Sequence, residues 1–265
     1  MSAANFPAMT SSLTADWPTR ARCSLPPGEA HLYFMRLDGL DAPPPPLYEL
    51  LNQAERERCA RYLFMRNRIE STAARALARA ALSRYADVDP RAWTFAQGEH
   101  GKPQVSGPAE ATHLRFNVAH TPGLVVCLVA RDREVGVDAE VLGRSSDIAL
   151  LARRCLSPDE QQALWALPQL AQARRFLIHW TLKEAYLKAR GIGIGLPLAE
   201  ITLLADDDPT SLAGPPTHFS LGPGVGDDPT RWQLERCHLL PTHVAAIAVE
   251  RLRGPATLHT QEVVP

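Results

Sequence analysis

The chain has 265 residues, of which 45% are hydrophobic and 22% charged, and its formal net charge is −1. That length suffices for one large domain or two of about 100–150 residues, and the composition is that of a globular protein. The near-neutral balance excludes a globally basic surface for nucleic acid or an anionic membrane, so any anionic ligand needs a local basic cluster.

Residues 1–28 are rich in Ser, Thr, Ala and Pro and read as a flexible N-terminal extension. They lack the basic start and apolar run of a secretory signal, and no stretch approaches the ~20 apolar residues that span a bilayer. Cys23, Cys59, Cys127, Cys155 and Cys237 are scattered, with no metal or redox spacing. Together these features predict a cytoplasmic protein with free thiols.

HLYFMRL (His31–Leu37) predicts the first strand. The prolines Pro43–Pro46 predict an exposed rigid connection that is neither helix nor central strand. LNQAERERCARYLF and RIESTAARALARAALSRYA, dense in good helix formers, predict a long helical region closed by the turn DVDP. Gly98–Pro108 predicts a Gly/Pro-rich loop carrying Lys102. RFNVAH is a short strand ending at His120, and LVVCLVA is an apolar strand of the kind buried on both faces. RDRE predicts a turn into VGVDAEV, making an antiparallel hairpin of the two strands. SPDE then carries a capping box, with Ser157 as cap, Pro158 in the first turn and Glu160 reaching back. A further helix runs from about Gln169 to Arg190 and stops at Gly191. The remainder alternates strands (AEITLLA, THFSL, WQLERCHLL, HVAAIAVER) with Pro/Gly/Asp loops. The strand–helix–strand pattern occurs on each side of about residue 132, and WQLERCHLLPTHVAAIAV echoes LRFNVAHTPGLVVCLVA. The expected architecture is therefore α+β, in two similar α/β halves over residues 29–132 and 133–265.

In VGVDAEV the valines and Ala139 point one way, and Gly136, Asp138 and Glu140 the other. The two carboxylates then stand about 7 Å apart on one face, and hard cations such as Mg²⁺ are usually held by one or two carboxylates together with substrate phosphates. An ordinary half-exposed strand has the same alternation. In FLIHWTLKEAYLKARGIG, Trp180, Glu184 and Lys188 rise along one helix face a turn apart, with Lys183 about 100° away. That spacing also suits a plain surface Glu–Lys pair worth ~0.2–0.5 kcal/mol. If this helix packs beside the Asp138/Glu140 strand, three carboxylates and a lysine form a Mg²⁺–pyrophosphate site. His120 at its strand end is either a structural residue or a phosphate contact. Asn117 and the backbone at Ala119 can bond a ligand, and Lys102 and Arg58 are candidate phosphate partners. No hydrolase triad, P-loop or GxGxxG is present.

Four ordered pieces, GKP (Gly101–Pro103), FNVAH (Phe116–His120), GVDAE (Gly136–Glu140) and WTLKEAYLKARG (Trp180–Gly191), make the chain resemble the 4′-phosphopantetheinyl transferases of the surfactin-synthetase-activating (Sfp) type. The resemblance implies pseudo-twofold halves with coenzyme A bound between them. It implies Asp138, Glu140 and Glu184 as Mg²⁺ ligands, and Lys188 on the coenzyme pyrophosphate. It places Arg58, Lys102, Asn117, Ala119, His120 and Lys183 among the coenzyme contacts, and Glu184 and Lys188 in catalysis, with either Glu184 or a metal-bound water as the general base. Ala119 stands where many relatives carry Ser, so only a backbone contact remains there. The implied reaction moves phosphopantetheine from coenzyme A to a serine of an apo acyl or peptidyl carrier protein, and pseudosymmetry would let a monomer form the whole site. The competing readings are a Mg²⁺-dependent hydrolase of nucleotide anhydrides and a non-catalytic coenzyme A-binding module.

Overall fold

The structure is a computed structural model, and it describes residues 23–143, 148–193, 195–204 and 211–265. Most of the expected N-terminal extension lies outside the described residues. Residues 23–28, however, are no loose tail. Leu25 is buried in the core, Cys23 N donates to Arg84 O at 2.8 Å, and Pro27 O accepts from Arg133 Nε at 2.5 Å.

The first half opens with strand β1 (Glu29–Arg36), followed by helices α1 (Pro45–Glu49), α2 (Gln53–Ala60) and α3 (Met65–Ser83). The proline run does not exclude helix, because Pro45 and Pro46 head α1. First-turn amides have no intrahelical acceptor, so a missing donor there is harmless. Asn52 and Glu55 form a capping box at α2, a helix start unremarked in the sequence. Strands β2 (Thr94–Gln97) and β3 (Pro103–Gly107) make a hairpin where a loop was expected. Its turn is closed by Gly98 N donating to Lys102 O at 2.9 Å, with Gly101 at a φ of 83°. The antiparallel pair β4 (Leu114–Thr121) and β5 (Leu124–Arg131) completes the half.

The second half repeats that order. Strand β6 (Val135–Val141) is followed by α4 (Ile148–Cys155), α5 (Pro158–Trp165) and α6 (Gln169–Arg190). The hairpin β7 (Ile201–Leu204) and β8 (His218–Leu221) then leads to the antiparallel pair β9 (Trp232–Cys237) and β10 (His243–Glu250). The sequence echo thus corresponds to β4–β5 and β9–β10.

Two pairings depart from expectation. The β5–β6 hairpin does not form, because β1 and β4 occupy both edges of β5. The chain turns at Asp132 (φ 54°) and crosses to a second sheet, ordered β6-β10-β9. The final strand β11 (Thr257–Val263), unrecognised in the sequence, returns to the first sheet and pairs parallel to β1, giving the order β11-β1-β5-β4. The last strand of the region expected as the C-terminal half therefore belongs to the N-terminal sheet.

The sheets pack face to face between helices. Val125, Cys127 and Val129 of β5 face the cluster that includes Ala73, Leu77 and Ala81 of α3. Leu124, Val126 and Leu128 face the other way, against Val135, Val137 and Ala139 of β6 and Ala245 and Ile247 of β10. Val244, Ala246 and Ala248 of β10 pack with Leu182, Ala185 and Leu187 of α6. Burial on both faces is why LVVCLVA is continuously apolar; each buried Val or Leu in it contributes roughly 1.5–3 kcal/mol. Polar side chains stitch the sheets together. Val137 N donates to Asn117 Oδ1 at 2.9 Å, and Val141 N to Thr121 Oγ1 at 3.2 Å, which lays β6 alongside β4.

Candidate active site

The site begins with Gly136. A Cβ at this position would lie 2.0 Å from Ala185 O and 2.3 Å from Ala189 N, both backbone atoms of α6. Only glycine lets the helix rest on β6 at that separation. Asp138 and Glu140 share Gly136's face of the strand and are thereby aimed at α6, where Glu184 and Lys188 stand one turn apart.

The contacts follow from that packing. Lys188 Nζ lies 2.5 Å from Asp138 Oδ1. Asp138 Oδ2 and Glu184 Oε1 are buried and have no hydrogen-bond partner. Burial pushes Asp138 up to about 6; Lys188 opposes the rise, while Glu140 and Glu184 add to it. Glu184 is likewise raised by burial, opposed by Lys188 and reinforced by Glu140. Buried acceptors with no donor carry a penalty of about 1–3 kcal/mol each, more when charged. These oxygens are thus poised for a cation. The donor set is hard oxygen, which fits Mg²⁺. Among the described residues, the group whose ligand atoms all lie within 4.8 Å of one another is elsewhere, at Glu29, His31 and His259. The three site carboxylates are therefore not drawn into a closed cage, and Lys188 holds one oxygen of Asp138.

A cleft of about 240 Å³ opens beside this cluster, lined by His100, Lys102, Asn117, Glu184, Lys188 and Gly191 among others. It lies where the β2–β3 turn meets the C-terminal end of α6. Gly191 adopts a φ of 65°, and its position 3.2 Å from Lys102 Cδ, for a Cβ built there, shows how closely the two segments approach.

The remaining candidates separate into two groups. Asn117 lines the cleft while its side-chain oxygen holds β6 in place. Lys102 lines it too, but its ammonium is tied to Glu134 Oε2 at 2.7 Å and Ala189 O at 2.8 Å. Burial pushes this lysine down from its ordinary value, with Glu134 opposing. Ala119 turns inward to the core between the sheets, and His120 is exposed, with Nδ1 3.4 Å from Glu70 Oε2. Arg58 is exposed on the last turn of α2, outside the residues that line the cleft.

Lys183 requires a correction. It is fully buried, donating to Cys155 O at 2.6 Å, Glu160 Oε2 at 2.5 Å and Leu198 O at 2.9 Å, so its ammonium is consumed within the protein. Glu160 does more than cap α5. It also accepts from Leu203 N at 2.9 Å and lies 3.4 Å from His179 Nδ1. Burial would raise Glu160, but His179 and Lys183 hold it below the usual carboxylate range. Sequence reading missed His100 and Gly191 as cleft residues; the signal available was their place beside Gly101 and at the helix stop.

Comparison with known proteins identifies the family. The family described as "4'-phosphopantetheinyl transferase superfamily" matches residues 134–250, and "4'-phosphopantetheinyl transferase, N-terminal" matches residues 46–132. The 4'-phosphopantetheinyl transferase HetI of Nostoc sp. is 35% identical over 76% of this chain and 84% of its own length. A phosphopantetheinyl transferase of Thraustochytrium sp. is 33% identical over 69% and 68%, and Sfp of Bacillus subtilis is 28% identical over 63% and 73%. The chain belongs to the 4′-phosphopantetheinyl transferase superfamily and is a transferase of that class.

Proposed function

We propose that this enzyme acts as a monomer and moves the phosphopantetheine arm of coenzyme A onto a serine hydroxyl of an apo carrier protein, in a Mg²⁺-dependent reaction. The observation that carries the reading is the pair of orphaned buried oxygens, Asp138 Oδ2 and Glu184 Oε1, beside Lys188 at the mouth of a cleft. Asp138, Glu140 and Glu184 would hold the ion. When bound it would supply charge neutralisation at the coenzyme pyrophosphate.

The protein's own groups do the rest. The serine oxygen attacks the β-phosphorus, forming a P–O bond as the phosphoanhydride bond to adenosine 3′,5′-bisphosphate breaks. Lys188, half-exposed at the cleft, stabilises the leaving phosphate. The serine proton needs an acceptor whose pKa is closer to neutrality than that of a free carboxylate. Glu184, raised by burial, supports that role.

The test is to incubate the protein with Mg²⁺, coenzyme A and apo-carrier domains from fatty acid, polyketide and nonribosomal peptide systems, and then weigh each carrier. A mass gain of one phosphopantetheine on at least one carrier is expected. Unchanged masses across the panel, with coenzyme A cleaved regardless, would replace the transferase with a hydrolase.

A further inference from the structure

The far edge of the first sheet carries a second cluster with its own chemistry. In the parallel register of β1 and β11, His31 stands directly beside His259, and Glu29 lies two residues before His31 on the same face. Glu29 Oε2 is 2.9 Å from His31 Nε2 and 3.5 Å from His259 Nε2, and the two rings are 5.0 Å apart. All three ligand atoms lie within 4.8 Å of one another. In a tetrahedral zinc site with bonds of roughly 2.05 Å, ligand atoms are separated by about 3.3 Å. The two measured separations bracket that value.

The surroundings suit a metal as well. Tyr85 Oη is 2.7 Å from His31 Nδ1, the nitrogen that would not face the ion, and Tyr33 Oη is 2.5 Å from Tyr85 Oη. A ligating imidazole typically donates its other N–H to such a partner, which fixes the ring and its tautomer. His31 is mostly buried, whereas His259 is half exposed, so ions can enter and a water can complete the coordination. None of these residues takes part in the carboxylate cluster on β6 and α6.

We propose that Glu29, His31 and His259 form a binding site for a borderline divalent transition metal of the Zn²⁺ class. The two imidazoles and one carboxylate select such an ion over Mg²⁺, which prefers an all-oxygen set. Bound there, the ion clips β11, which among the described residues pairs with β1 alone, to that strand. It thereby ties the last strand of the chain to the first.

The experiment uses untagged, chelator-stripped full-length protein in excess Mg²⁺, so that the β6–α6 carboxylates are not open to added zinc. Zn²⁺ is titrated by calorimetry, and amide hydrogen exchange of residues 257–263 is followed with and without it. Wild type is expected to take up one equivalent that His259→Ala lacks, with Tyr85→Phe binding 10–100-fold more weakly. Zinc should also slow exchange in β11 at least tenfold in wild type and not in His259→Ala. Phosphopantetheine transfer should be unchanged in His259→Ala. No zinc uptake by folded wild type, or equal uptake by the variant, overturns the proposal.

Discussion

Replacing Asp138 by Asn should make the metal-free protein more stable at alkaline pH while abolishing transfer. Asp138 is buried and its pKa rises from 3.8 to about 6 on folding. A carboxyl group raised in the folded state binds its proton more tightly there than in the unfolded chain. Its contribution to stability is therefore present at low pH and is lost as pH climbs from about 4 through 6. The rise sets the full effect at ~3 kcal/mol, about half of which falls between pH 5 and pH 8. Asn cannot ionise, so Asp138→Asn should lack this part of the pH dependence. Urea unfolding of both proteins in chelator at pH 5 and pH 8 measures it, and adding Mg²⁺ should restore wild type alone. A variant that loses stability between the two pH values as steeply as wild type would refute the reasoning.

Gly136→Ala should force α6 off β6, because the new Cβ would meet backbone at 2.0 Å. A loss of about 1–3 kcal/mol or more is expected in denaturant unfolding, with Mg²⁺ affinity falling in parallel. Lys183→Met should leave the Glu160 charge in the core without its ammonium partner, lowering unfolding free energy by about 3–5 kcal/mol. Adding Glu160→Gln should recover part of that loss, a result that a ligand-binding role for Lys183 does not anticipate. Glu184→Gln should reduce transfer roughly 10²–10⁴-fold with folding intact, measured by carrier mass against time. Equal rates in variant and wild type would remove Glu184 from the chemistry.

The strands that line the site and its long helix were legible in the sequence because their signals are local. The alternation in VGVDAEV predicts which side of β6 carries Asp138 and Glu140. The i,i+4 spacing of Glu184 and Lys188 predicts their common face, and Ser157–Glu160 predicts the start of α5. The strand β11 escaped notice because its burial is weak and uneven, which leaves little apolar alternation to read. The hairpin β2–β3 was hidden among glycines and prolines that read equally well as loop.

What the sequence by itself determined is the inventory: which residues face which side of each strand and helix, and where helices start and stop. Partnership came from tertiary structure. Whether β6 would pair with its neighbour β5 or with the distant β10 depended on which edges of β5 were already taken. Whether Lys188 or Lys183 would face the carboxylates depended on how α6 rotates against β6, and that rotation is set by backbone contact at Gly136. Lys183 and Lys188 are the same residue type on two faces of one helix. One is sealed against Glu160 and the other reaches Asp138, because burial and distance are properties of the packed chain.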